Sequence, residues 1–316
     1  MLLAVLMGEW LYFDWAGQRF GSLENTFDLL RHSAEIGLLA LAMTPIILAG
    51  GIDLSVGSLL GLCAIVFGKL WRDAHLSAWT AGLGALVLGS LGGGLNATLI
   101  TRLRLPPLIV TLATFSLFRG LAEAITHGVD TFTGFSDSFL RLGQGQWLGV
   151  PTQLPVFILI SAALWLLVHR TVLGRSWRAI GFASEGARYA GLPVERQVAL
   201  TYLLAGLVCG LAAILYTSRL GQAKADAGTG YELLAITAVV LGGTSIFGGT
   251  GSVQGTLLGV ATIAVLNNGL IHTREPREVA GMLTGLLLLL ALAMPRLMAG
   301  LSRVRSKAVR PRMDAG

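Results

Sequence analysis

Leu48-Ala49-Gly50-Gly51-Ile52-Asp53-Leu54-Ser55-Val56-Gly57-Ser58 places one carboxylate between two long apolar runs. A charge at bilayer depth costs on the order of 3 kcal/mol, so it faces a partner, a cavity or the membrane surface. Gly50 and Gly51 let the backbone leave its helix there, and such a break is tolerated in a membrane only where protein or water satisfies the freed groups. Two compatible readings fit Asp53: it borders a polar cavity, or it caps the helix that follows.

Composition supports the membrane setting. Hydrophobic residues make up 54% of the 316, charged residues 13%, and mean hydropathy is +0.72. Soluble domains carry about 25% charge. At about 20 residues per crossing the chain holds roughly ten spans. The 42 glycines suit closely packed membrane helices. The net charge of +6 comes from basic residues in loops beside apolar runs, which is a topological bias and not a nucleic-acid surface. Cys63 and Cys209 lie in apolar segments without Cys or His neighbours and read as core residues.

Leu2–Phe13 is short for a span and is interrupted by Glu9, and 17–32 is polar enough for a surface loop. Apolar spans then read as Ser33–Ala49 with Pro45 inside, Val56–Leu70, Trp79–Ile100, Leu108–Ile125, Leu154–Val168, Val198–Tyr216, Leu233–Phe247, Val253–Ile271 and Val279–Leu297. The glycines of Trp79–Ile100 suit a tightly packed, central helix. Arg119 and Glu123, four residues apart, suit an ion pair on one helix face. A long polar loop covers 127–154, a loop with Asp226 covers 217–231, and 248–252 is a glycine turn. Arginines cluster at 102–104, 170–196 and in the tail 301–316, so both termini and these loops are expected on the cytoplasmic side. Within 170–196, Ser184–Tyr189 suits a short helix ended by Gly191 and Pro193. The expected organisation is one all-α transmembrane unit over 1–300, with some broken helices and short loops, and a basic tail.

Several chemistries are absent. No G-x-x-x-x-G-K-[ST] occurs, and the glycines at 242–251 lack the lysine of a phosphate loop, so Gly242 and Gly243 read as packing or turn residues. The five histidines are scattered, without metal-ligand spacing, and no G-x-S-x-G is present. No catalytic or metal-binding residue is indicated. A broken-helix carboxylate with polar-lined spans points to solute transport. Asp53, Ser55, Asn96, Thr111 and Thr114 are the residues expected to line or brace the path. The absence of further buried acids speaks against a proton-coupled pump.

Gly50–Ser58 resembles the signature of the inner-membrane permeases of bacterial ribose-type sugar ABC importers. Further stretches resemble the same family in the same order: Asn96 with Pro107–Leu112 and Phe118–Gly120; Ala179–Gly181 with Glu185–Arg188 and Gly191; Ala227–Glu232; Leu241–Ser245 with Gly248, Gly249, Gly251, Gly255 and Thr256; and Asn267–Gly269. They cover Ser33 to Leu297. The resemblance implies an inner-membrane subunit that works as a homodimer or with a sister permease, beside lipid and not nucleic acid. It implies a periplasmic sugar-binding protein that delivers a monosaccharide or furanose-like signal. It also implies a separate cytoplasmic ATPase that uses ATP, this chain binding no cofactor. The coupling segment falls at 174–196, with Glu185, Gly186, Ala187, Arg188 and Gly191 at the ATPase. The competing class is an ion-coupled secondary transporter or channel, which needs no ATPase. The sugar is not legible.

Overall fold

The computed structural model of the chain describes residues 2–17, 19–273 and 275–308. Ser22 opens the first long helix. Its hydroxyl accepts from the Asn25 amide at 3.2 Å, so α2 spans Leu23–Leu48 and takes in residues expected in a loop. Asn25 is buried there, exchanging amide hydrogen bonds with Asn268 at 2.9 and 3.1 Å. A cap and a buried partner outweigh the polar composition of this stretch. The short α1, Leu2–Ala16, precedes it and lays Phe13 on Gly269.

After the break come α3 (Val56–Arg72), α4 (Ala78–Thr101) and α5 (Pro107–Ile125). The polar stretch after α5 folds back as α6 (Asp137–Gln144) and a small hairpin of β1 (Gln146–Trp147) and β2 (Val150–Pro151), with Gln146 opposite Pro151. Then follow α7 (Gln153–Arg170), α8 (Val172–Phe182), α9 (Ser184–Tyr189) and α10 (Val194–Leu220). Last come α11 (Tyr231–Leu241), α12 (Val253–His272) and α13 (Arg277–Ala308). Among the described residues α4, α5, α7, α10 and α12 are long and apolar enough to cross a membrane. The side chains of the basic tail, 301–316, lie outside the described residues.

The core is built from α2, α3, α4 and α10, with Leu38, Leu60, Cys63, Tyr202 and Cys209 fully enclosed. Glycine makes the closest pairing. Gly89 and Gly93 of α4 meet Gly206 and Gly210 of α10 backbone to backbone, where any added methyl collides. Helix α4 is not central, however: Leu83, Val87 and Leu91 are exposed on its other face. Its glycines line one seam, and its leucines face outward.

The stretch joining α10 to α11 is no simple surface loop. Ala223 exchanges backbone hydrogen bonds with Phe132 at 2.9 and 3.0 Å, and the Phe132 ring lies on Gly68 near the far end of α3. A methyl on Gly61 would stand 2.7 Å from the Ala227 carbonyl oxygen, and Gly57 touches the Gly228 carbonyl. Residues 223–228 therefore run back along α3 almost to its start. Helix α11 begins inside the bundle, and its 11 residues cover about 16 Å, half a hydrocarbon core.

Candidate functional site

Helix α2 ends in a Schellman turn. Gly51 donates to Ile46 O and Gly50 to Ile47 O, both at 2.9 Å, with Gly50 at φ 84°. Asp53 then turns back on its own chain: its Oδ1 accepts from the Ser55 amide at 2.8 Å and the Ser55 hydroxyl at 2.6 Å. It does not cap α3, because Ser55 takes the N-cap position and turns its hydroxyl to Asp53.

From Ser55 the network crosses to two further helices. Asn96 of α4 donates to Ser55 Oγ at 2.9 Å, and Thr114 of α5 donates to Asn96 Oδ1 at 2.8 Å. Thr111 donates to Ile52 O at 3.2 Å. The fold thus gathers all five residues read from the sequence, and each is buried. In this conformation they hold the break between α3, α4 and α5 and are closed off from solvent.

On one end of the bundle, the chain between α7 and α10 makes two helices where the sequence suggests one. Thr171 accepts from the Leu173 amide at 3.2 Å and starts α8. Trp177 is fully enclosed and donates its indole N–H to Gln197 O at 3.1 Å. Arg178 donates to Val168 O at 2.9 Å and to Gly251 O at 3.4 Å, tying α8 to the turn before α12. Gly181 sits against the Leu48 carbonyl and Gly249, with no space for a side chain. The segment is seated on the last residue of α2 before the break.

Helix α9 coincides with the expected Ser184–Tyr189. Only Ala187 of its predicted contact residues points inward, against Ile180 and Val194. Glu185, Gly186, Arg188 and Gly191 are exposed, and Arg188 pairs with Glu195 at 2.6 Å. Gly191 ends the helix at φ 82°. Phe182 ends α8 and Tyr189 ends α9; they are 84% and 90% exposed, and no charge pattern points to them. Two aromatic rings beside a short helix make a surface suited to a protein partner.

Gly242 and Gly243 serve the neighbouring turn. Gly242 meets Gly255 backbone to backbone, and Gly243 adopts φ 86°. The turn closes through Ser245 donating to Thr250 O at 2.9 Å and Gly249 to Leu48 O at 3.0 Å. Amides spent in this way do not cradle a phosphate.

Two expectations about charge need correction. Buried acids besides Asp53 do exist: Glu35 is fully enclosed, and Glu232 is 7% exposed. Glu35 pairs with Arg219 of α10 at 2.8 Å. It lies so early in its run that its burial follows only from α2 starting at Leu23. Arg119 makes no ion pair with Glu123 among the described residues. Its guanidinium instead donates to the carbonyls of Ala225 and Ala227, the latter at 3.1 Å. The returning backbone offers two unpaired carbonyls, and the forked guanidinium donates to both of them in preference to the solvent-exposed Glu123 carboxylate.

The model of a family described as "Branched-chain amino acid transport system / permease component" matches residues 25–292. The chain belongs to this permease family. The permease is 39% identical over 260 residues to the autoinducer 2 import system permease protein LsrD of Yersinia enterocolitica, covering 81% of this chain and 78% of that one. It is 37% identical over 294 residues to the protein of the same name from Yersinia pseudotuberculosis, covering 92% and 88%. No solved structure matches the permease. The matched region runs from the buried Asn25 nearly to the end of the described side chains. The break, the five-residue network and the α8–α9 segment all fall inside it. The permease is a multi-pass transport subunit of the inner membrane.

Proposed function

We propose that this permease carries a furanose-like solute, autoinducer 2 or a close monosaccharide relative, inward as the membrane subunit of an ATP-driven importer. The relatives support the solute class. The geometry supports the drive: one short exposed helix, α9, is joined through α8 to the helix break at Leu48. That connection is the observation that carries the reading. A cytoplasmic ATPase docks on Glu185, Gly186, Arg188 and Gly191, with Ala187 anchoring the helix from beneath. Its stroke reaches the break through Gly181.

In this reading α1, α2, α3, α11 and α13 add to the five long spans, for ten crossings within one unit over 1–300. Both termini and α9 then lie in the cytoplasm, in keeping with the arginines of 102–104 and 170–196. Asp53, Ser55, Asn96, Thr111 and Thr114 brace the path where the helix breaks. ATP is bound by the partner and this chain holds no cofactor. A periplasmic binding protein delivers the solute, and a second copy or a sister permease completes the channel.

The buried carboxylates favour ion coupling as the second reading. Glu35 is already matched by Arg219, which leaves it poorly placed to take up and release a proton. Gentle detergent extraction of the tagged permease from its native membrane, followed by mass spectrometry, separates the two readings. Co-purification of a nucleotide-binding ATPase and a sugar-binding protein is expected. A chain that purifies alone and takes up solute on an ion gradient overturns the proposal.

A further inference from the structure

Between α10 and α11 the chain reads Ala223-Lys224-Ala225-Asp226-Ala227-Gly228-Thr229. Alternation along this stretch sorts its residues onto two edges. Ala223, Ala227 and Gly228 are buried against α3, while Lys224, Asp226 and Thr229 are exposed. The alanines are small because the glycines of α3 bring the two backbones together. Non-helical backbone at membrane depth is tolerated only inside protein or beside water. The alanine edge meets protein. The other edge presents a cation and an anion two residues apart, and lipid is a poor surrounding for either.

We propose that Lys224, Asp226 and Thr229 form a binding edge on the translocation path for a neutral, polyhydroxylated solute. Among the described residues neither Lys224 nor Asp226 has a side-chain hydrogen bond or ion pair. Lys224 donates to solute hydroxyls and Asp226 accepts from them. Thr229 already donates to the Asp226 carbonyl at 2.7 Å, which leaves its oxygen free to accept. Lys224 is offset by Asp226, and Arg119 behind this stretch by the nearby Glu232 and Glu123, so a net charge on the solute gains little there. Arg119 donates to the Ala225 and Ala227 carbonyls beside Gly61 of α3, which fixes this backbone against the helix. The solute class rests on the import reading above; the water-lined edge rests on geometry alone.

The test is thiol labelling of the assembled importer in cells with a charged, membrane-impermeant methanethiosulfonate. Cys63 and Cys209 are buried and give no background. Asp226→Cys and Thr229→Cys are expected to label, and Leu91→Cys, on the apolar outer face of α4, is not. Failure of both path variants to label, at wild-type membrane level, overturns the proposal. In parallel, Asp226→Asn and Thr229→Val should each lower autoinducer 2 uptake at least tenfold, chiefly through KM, with the ATPase still co-purifying. Wild-type uptake in both variants overturns the binding role. Labelled path cysteines in an importer that takes up no autoinducer 2 would reject that solute and leave the water-lined edge standing.

Discussion

The Gly249 amide donates to the Leu48 carbonyl at 3.0 Å, which fastens the turn before α12 to the residue where α2 breaks. Gly181 packs onto the same carbonyl, so three separate stretches meet at one point. Under the proposed coupling, a shift of α8 reaches the break through these contacts, without a long lever.

Gly181→Val should therefore uncouple the importer. The added side chain collides with the Leu48 carbonyl and the Gly249 amide, and such overpacking costs about 1–3 kcal/mol. Solute uptake is expected to fall more than tenfold while ATP hydrolysis by the complex persists. Parallel assays of uptake and hydrolysis on reconstituted complex check this.

Gly186→Trp probes the outer side of the same segment. A methyl at Gly186 meets only Ala183, at 3.6 Å, so the variant is expected to fold and insert normally. It should lose ATPase co-purification. Retained ATPase with wild-type yield would move the docking surface off α9.

Asp53→Ala removes the acceptor for the Ser55 amide and hydroxyl in a buried site. Each orphaned donor costs about 1–3 kcal/mol, so membrane level and thermal stability in detergent should both fall. The pair Ser55→Ala and Asn96→Ala should be non-additive by about 1 kcal/mol, because one hydrogen bond joins them. A double-mutant cycle on thermal unfolding measures that coupling.

Glu35→Ala removes the ion-pair partner of the largely buried Arg219 and leaves its guanidinium over the Tyr216 ring. Breaking a buried pair costs about 3–5 kcal/mol, whereas replacing both partners by apolar groups is often neutral. Glu35→Ala and Arg219→Ala should each depress stability strongly, and Glu35→Leu with Arg219→Met should recover most of it. Thermal unfolding of the three proteins decides the matter.

Much of the architecture is legible in the order of residues. Apolar runs such as Leu108–Ile125 and Val253–Ile271 became α5 and α12 within two residues at each end, because a backbone in lipid must bond within its own helix. The break at Gly50 and Gly51 is local for the same reason that Ser184–Tyr189 is: glycine at positive φ ends a helix wherever it stands. The polar residues Asp53, Ser55, Asn96, Thr111 and Thr114 were recognisable as a set, though not that they bond to one another.

What the tertiary structure alone decided concerns where polar residues go once spans are packed. Ala223-Lys224-Ala225-Asp226 has the composition of a surface loop, and it runs along α3 only because Gly57, Gly61 and Gly68 leave a groove there. Arg119 lies four residues from Glu123, yet the returning carbonyls of Ala225 and Ala227 are the better acceptors at its depth. Glu35 and Arg219 are 184 residues apart, so no local pattern announces their pairing. Helix formation depends on neighbours in sequence. The burial of a charge depends on a partner that only packing brings near.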